Sequence, residues 1–433
     1  MLKEFDGETF RQHFKRRRFD DYPQEISAVR EIISQVRRRG DEAVLEYTNR
    51  FDSAGLKSLC VSAEEFAAAE AVVDTGVREN LKLAASNIEA FHRRQLCVSW
   101  LDRREDGVAL GQLVRALERV GAYVPGGGAA YPSSVLMTVI PARVAGVREV
   151  VLTTPPLPGG EINPYTLVAA RIAGADAVYK CGGAQAVAAL AYGTETIPRV
   201  DKVVGPGNIY VTLAKREVMG AVGIDMLAGP SEVLVLADNT ACAACVAADL
   251  LSQAEHDAMA SAYFVTDSRI LAADVQKELR RQCAALKRPE TAVKALRGQG
   301  ALVLVNSIEE GMSIANELAP EHLELHLAEP WLWLDSVQNA GAVFIGAFTP
   351  EAVGDYWAGP NHVLPTAGAA RFSSPLSVDD YIKKSSVIYY PAKALLAAAP
   401  AIESLAGVEG LDAHGLSVKM RRDMLEKRED SKD

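Results

Sequence analysis

The chain has 433 residues, 49% of them hydrophobic, and a formal net charge of −10. That size and apolar content suffice for two or more domains with a large core and no need of disulfides. The acidic balance argues against a nucleic-acid surface, because the basic clusters at Lys15 to Arg18, Arg37 to Arg39 and Arg421-Arg422 are short and read as solvated helix faces.

From the N-terminus, Met1-Leu2-Lys3-Glu4-Phe5-Asp6 lacks the apolar stretch of a signal peptide. No run approaches the ~20 apolar residues that span a bilayer, so a cytoplasmic protein with no membrane partner is expected. Helical spacing dominates the first hundred residues, through 26–36, 43–47 and 77–96. From about Leu117 the pattern becomes short β-branched runs alternating with alanine-rich helices. Strands are predicted at 120–124, 149–154, 177–180 and 202–204, with helices up to 147 and over 167–173, 184–191 and 209–218. A second series follows, with strands at 233–236, 262–265, 302–305 and 342–345 and helices at 240–256, on either side of Pro289, and at 308–318. Such βα alternation predicts parallel sheets covered by helices on both faces, in two α/β domains. Residues 354–371 hold three glycines and two prolines and are expected to form a long ordered loop, a form that often carries function. From Ala392 the tail turns helical.

Cysteine usage fits a reducing compartment. Four cysteines stand alone, and only Cys242 and Cys245 form a CxxC pair, without the second pair of a zinc ribbon. Lying in an alanine-rich run, that pair is expected to pack as small buried side chains.

Histidine is scarce, and His256, His322, His362 and His414, four of the seven, sit in short segments that also carry Gln, Glu or Asp, as if one metal-dependent site were assembled from several segments. Gln253 and His256, three apart near a helix end, share a face and can chelate one centre. Asp355 and His362, in the long loop, can complete an N/O coordination sphere suited to zinc. Glu321-His322 offers one base for water and one for an alcohol proton. Yet His322, Glu324 and His326 also alternate with leucines as in a strand with one wet face. The pair would moreover lie at a strand's beginning, whereas sites of parallel sheets normally lie at carboxyl ends. Two glycine-rich turns, Tyr123-Val124-Pro125-Gly126-Gly127-Gly128 and Gly205-Pro206-Gly207-Asn208, place amides where phosphates bind, but neither is a complete GxGxxG fingerprint.

Together these segments resemble the histidinol dehydrogenases. The resemblance rests on Gly121-Ala122-Tyr123-Val124-Pro125-Gly126-Gly127, Val204-Gly205-Pro206-Gly207-Asn208 and Ala228-Gly229-Pro230-Ser231-Glu232, and on the run from Asp249 to Asp257. Ala319-Pro320-Glu321-His322-Leu323 and Gly359-Pro360-Asn361-His362-Val363-Leu364-Pro365-Thr366 complete it. Six motifs in this order are very specific. The resemblance implies an enzyme with one zinc per subunit that oxidises L-histidinol to L-histidine with two NAD⁺. It implies zinc ligands Gln253, His256, Asp355 and His414, a water-activating Glu321, and His322 as general acid and base. Substrate contacts would comprise Ser231, Gln253, His256, His322, Asp355, His362, Glu409 and His414, and cofactor contacts Tyr123, Gln185 and Asn208.

The resemblance further implies a homodimer with shared active sites and two parallel-sheet domains of incomplete Rossmann type, with small helical N- and C-terminal segments. The expected division is a helical segment over 1–20, a discontinuous α/β domain over 21–118 and 235–371, a second α/β domain with the cofactor contacts over 119–234, and a helical tail over 372–433. Two other readings compete. A related zinc and NAD dehydrogenase could oxidise another amino alcohol or a sulfonated polyol. A zinc-binding regulatory or structural protein without turnover would leave Glu321-His322 and the glycine turns without a task.

Overall fold

The computed structural model describes residues 1–14, 21–126 and 130–430; the basic cluster at Lys15 to Arg18 and the glycines Gly127 and Gly128 lie outside the described residues. The strands in chain order are β1 (Lys3–Asp6), β2 (Trp100–Arg103), β3 (Ala109–Ala116), β4 (Arg119–Tyr123), β5 (Glu149–Thr154), β6 (Ala177–Lys180) and β7 (Lys202–Val204). They continue with β8 (Gly223–Ile224), β9 (Glu232–Ala237), β10 (Ser261–Thr266), β11 (Ala301–Leu304), β12 (His322–His326), β13 (Ala342–Ile345) and β14 (Ile382–Tyr389). The chain forms two compact units, one of Met1–Leu96 with Ala116–Tyr381, the other of Cys97–Arg115 with Ile382–Asp433.

The first unit carries two sheets whose strand pairs are parallel, as the βα alternation predicts. The five-stranded sheet runs β6-β5-β4-β7-β8 and the six-stranded sheet β1-β11-β10-β9-β12-β13. Leaving β1 aside, both follow the order 3-2-1-4-5, a Rossmann-type arrangement lacking its sixth strand. Each sheet therefore has a switch point, between β4 and β7 in one and between β9 and β12 in the other, where the winding reverses. The edge strand β1 has no signature in the sequence, because four residues are too few to display a period.

The central strands are continuous buried runs, Val233 through Ala237 being wholly inaccessible, because helices cover both faces. Strand β12 departs from the one-wet-face pattern. It lies between β9 and β13, and His322, Leu323, Glu324, Leu325 and His326 are all buried. Its polar side chains must therefore find partners inside the protein. Cys242 and Cys245 depart from expectation in the opposite sense, since both are exposed at the start of the Ala243–Ala254 helix. The expected long loop after Val353 begins with a π-helical turn, Gly354–Ala358.

On the Thr75–Arg93 helix, His92 is fully buried. Its Nδ1 lies 2.8 Å from the Ile88 carbonyl and its Nε2 3.4 Å from Asn361 Nδ2, an amide that donates to the Met137 carbonyl at 2.7 Å. Burial holds this imidazole below its ordinary pKa. The unfolded chain therefore takes up a proton before the folded one. Stability present above about pH 6.5 is lost as the pH falls below it, with a slope of at most about 1.4 kcal/mol per pH unit from this group. Urea unfolding at neutral and mildly acidic pH should give His92→Gln a shallower acid loss than the parent; identical slopes would remove His92 as a source of acid sensitivity.

The second unit carries a three-stranded sheet, β14-β3-β2, in which β2 and β3 are antiparallel. Its helices Ala392–Val408 and Asp412–Asp430 pack on each other, tied by Arg422 to Glu403 at 3.0 Å. Several large apolar side chains are left exposed, among them Val98, Trp100, Leu101, Leu405 and Val408. No helix among the described residues is long and apolar enough to cross a membrane.

Candidate active site

The chain enters the site through a strained corner. The Ile308–Leu318 helix ends at Ala319, whose φ of 46° is left-handed for a residue other than glycine, and Pro320 stops any continuation. Glu321 and His322 follow, 6% and 4% exposed, with His322 as the first residue of β12. The chain behind them has no room to spare. Gly341 donates to the Pro320 carbonyl at 2.9 Å, and a Cβ on Gly341 would stand 2.6 Å from the Glu321 carbonyl oxygen.

A single residue of β9 orients both side chains. The Glu232 amide donates to Glu321 Oε2 at 2.9 Å, and the Glu232 carbonyl accepts from His322 Nδ1 at 3.1 Å. A carbonyl can only accept, so Nδ1 carries the proton and Nε2 presents its lone pair. Burial drives the His322 pKa down to about 3, with His362 and His256 adding to the effect, so Nε2 is unprotonated at neutral pH. Burial likewise pushes the Glu321 carboxyl well above its ordinary range, which strengthens it as a base. Phe344 closes one side of the imidazole at a ring distance of 5.8 Å.

Three groups suited to a cation gather next to this pair. Ligand atoms of His256, Glu351 and Asp355 lie within 4.8 Å of one another. The ring of His256 reaches solvent, yet the surrounding protein lowers its pKa. Burial raises Asp355 to about 7. One turn before His256, Gln253 is 1% exposed, and its Oε1 has no hydrogen-bond partner. An orphaned buried acceptor one turn before the histidine of a His and carboxylate cluster suits a divalent cation, and oxygen and imidazole donors without thiolates suit zinc.

His362 joins the site from the long loop. Its Nδ1 donates to the Asp355 carbonyl at 3.2 Å, and its Nε2 meets Ser134 Oγ at 3.3 Å. Ser134 lies in the first turn of the Pro132–Ala145 helix, which follows β4. The site thus collects the amino ends of β9 and β12 from one sheet and the region beyond the carboxyl end of β4 from the other. That accounts for Glu321-His322 standing at a strand's beginning: the six-stranded sheet supplies the pair at its amino edge, while the five-stranded sheet faces the site with its carboxyl edge. Ser231, half-buried, stands immediately before β9.

The switch point of the five-stranded sheet holds the expected cofactor residues. Tyr123 ends β4, and its hydroxyl accepts from the Gly183 amide at 3.1 Å. Gln185, in the first turn of the Gly183–Tyr192 helix, is 1% exposed with an unpartnered Oε1. Asn208 caps the Ile209–Val218 helix through its Oδ1, so only its amide hydrogens remain for a nucleotide. Gly205 has φ 112°, and a Cβ there would stand 2.1 Å from the Tyr123 carbonyl oxygen. This turn is anchored from below by the buried ion pair of Lys215 and Asp225: Lys215 donates to the Gly205 carbonyl at 3.0 Å, and Asp225 accepts from the Gly205 amide at 2.7 Å.

Glu409 and His414 belong to the second unit, where both are exposed. Glu409 closes the Ala392–Val408 helix, and His414 lies in the first turn of the Asp412–Asp430 helix.

Sequence reasoning missed Glu351. It is 3% exposed, with one carboxylate oxygen 3.9 Å from His322 Nε2 and the other without a partner. Its position four residues before Asp355, on the same helical face, was the available signal. Also missed was a buried cluster beneath it. His326 Nε2 lies 3.2 Å from Glu324 and 3.5 Å from Asp249, while the Glu351 amide donates to Glu324 Oε1 at 2.9 Å. This cluster ties together the helix of Gln253, the strand of His322 and the turn of Asp355.

A profile of the family described as histidinol dehydrogenase matches residues 15–422. The chain is 50% identical over 416 residues to a histidinol dehydrogenase of Clostridium acetobutylicum, covering 96% of each. It is 55% identical over 397 residues to that of Moorella thermoacetica, covering 91% of this chain and 94% of the relative. The crystal structure of the histidinol dehydrogenase from Elizabethkingia anophelis superposes with a TM-score of 0.90 at 37% identity, over 98% of this chain and 99% of the other.

Proposed function

The chain belongs to the histidinol dehydrogenase family and is an oxidoreductase, and from that premise we propose that it oxidises L-histidinol to L-histidine through histidinal, with zinc and two NAD⁺. The observation that carries this reading is the buried Glu321-His322 pair, with His322 Nε2 unprotonated beside the His256, Asp355 and Glu351 cluster.

Gln253, His256 and Asp355 would hold the zinc, with His414 as the fourth ligand. When bound, zinc supplies a fixed charge that positions the substrate's imidazole and amine. Bound NAD⁺, contacted by Tyr123, Gln185 and Asn208, supplies the hydride acceptor. His322 Nε2 takes the substrate hydroxyl proton, and the resulting imidazolium is stabilised by the Glu232 carbonyl that accepts from its Nδ1. At the aldehyde stage Glu321, one oxygen held by the Glu232 amide, takes a proton from the attacking water with the other. His362, Ser231 and Glu409 would complete the substrate contacts. Retaining histidinal between the two oxidations protects a reactive aldehyde from solvent.

The test is direct: L-histidinol and NAD⁺ added to the purified protein should yield two NADH per histidinol, and no NADH would overturn the reading. Running other amino alcohols and a sulfonated polyol alongside separates the competing dehydrogenase reading.

A homodimer with shared sites is the assembly we favour, with Glu409 and His414 completing the partner's site. Support comes from the apolar side chains left exposed on the second unit, which are suited to an interface. Co-refolding two inactive variants, His322→Asn and His414→Asn, should restore about a quarter of all sites, because half of randomly paired dimers are mixed and each then has one intact site. A mixture as inactive as its parents would show that each tail serves its own chain.

A further inference from the structure

Cys242 and Cys245 take no part in the chemistry above, yet the fold gives them what a reactive dithiol needs. Cys242 is the N-cap of the twelve-residue Ala243–Ala254 helix, with an extended backbone (φ −80°, ψ 111°), and Cys245 falls in the first turn. Residues spaced three apart around a helical turn lie about 5–6 Å apart, so a disulfide between them needs only a small backbone adjustment. Both thiols are exposed, whereas Cys181 and Cys283 are buried. Cys60 and Cys97 are exposed as well, but neither has a second cysteine at this spacing.

The two thiols are also unlike each other. The amide and thiol of Cys245, with the Ala244 amide, hold Cys242 below its ordinary pKa, as expected at the positive end of a helix. Cys245 is pushed up, first by Cys242 and then by burial. One sulfur is thus disposed to attack and its neighbour to stay protonated until needed. Gln253 lies eleven residues further along the same helix, about 16 Å from Cys242 at the helical rise, which separates this feature from the zinc and substrate residues.

We propose that Cys242 and Cys245 form a thiol–disulfide exchange site for low-molecular-weight disulfides, with Cys242 as the attacking sulfur and Cys245 as the resolving one. The Cys242 thiolate attacks one sulfur of R–S–S–R; that bond breaks, a mixed disulfide forms, and the first RS⁻ leaves and is protonated. Cys245 then loses its proton to solvent and attacks Cys242 Sγ, which forms the intramolecular disulfide and expels the second RS⁻. Two protein thiols are oxidised and one small disulfide is reduced to two thiols, so no other electron carrier is required.

The experiment treats the folded full-length protein with glutathione disulfide near neutral pH, blocks remaining thiols by alkylation and maps the peptides by mass. In the parent protein the peptide carrying both cysteines should become lighter by two hydrogens, while Cys60 and Cys97 remain open to alkylation. Glutathione should stay on Cys242 in Cys245→Ser, and Cys242→Ser should be modified at Cys245 at least about tenfold more slowly. The proposal is overturned if Cys242 in the parent reacts no faster than Cys60 and Cys97, a comparison that needs no variant to fold. Equal rates in the two serine variants would overturn the assignment of attacking and resolving roles.

Discussion

Replacing His322 with asparagine is expected to slow both oxidations by about 10²- to 10⁴-fold, the contribution of a positioned acid–base group. Asparagine can still donate to the Glu232 carbonyl, so the start of β12 keeps its place, but it has no basic nitrogen to take the hydroxyl proton. Glu321→Gln should behave differently. A glutamine oxygen can still accept from the Glu232 amide, so the geometry survives, while the proton-accepting carboxylate is lost. Only the aldehyde step consumes water, so this variant should spare the first hydride transfer more than the second. Feeding histidinal to Glu321→Gln isolates the second half-reaction, and undiminished turnover there would sink the assignment. The separation should appear in kcat rather than KM, because both groups act on protons in flight.

Metal removal carries the second large effect. Chelation is expected to abolish NADH formation without unfolding the chain, since each sheet has its own core of buried Val, Leu and Ala that owes nothing to a metal. Readmitted zinc should raise the melting temperature, a free metal concentration a hundredfold above Kd contributing about 2.7 kcal/mol. His256→Ala should lose both that thermal gain and the activity, and metal analysis should find it depleted. A His256→Ala protein with one zinc per chain and full activity would refute the site.

Much of the machinery is legible in the chain itself. Alternating β-branched runs and alanine-rich helices encode the parallel sheets, because a strand covered on both faces must be apolar throughout, as at Val233 to Ala237. The clustering of Gln253-x-x-His256, Glu321-His322 and Asp355 to His362 marks the site, because these residue types are costly to bury without a task. Ala319-Pro320 marks the helix end that delivers the pair. Strand β1 escaped notice because a lone edge strand has no period to read.

What tertiary structure alone decided is which polar groups meet. Period-two alternation assigns His322, Glu324 and His326 to one face of β12, but not whether water or protein covers that face; the helix bearing Asp249 and the turn bearing Glu351 supply the cover. Glu232 holds Glu321 and His322 through its main chain, a role any non-proline residue could encode and that side-chain patterns cannot reveal. The exposure of Cys242 and Cys245 likewise depends on where their helix begins relative to its sheet, not on the apolar residues around them. Local sequence sets torsional preference and the spacing of side chains along one element, whereas desolvation, tautomer choice and shifted acidity arise only when segments far apart in the chain are packed together.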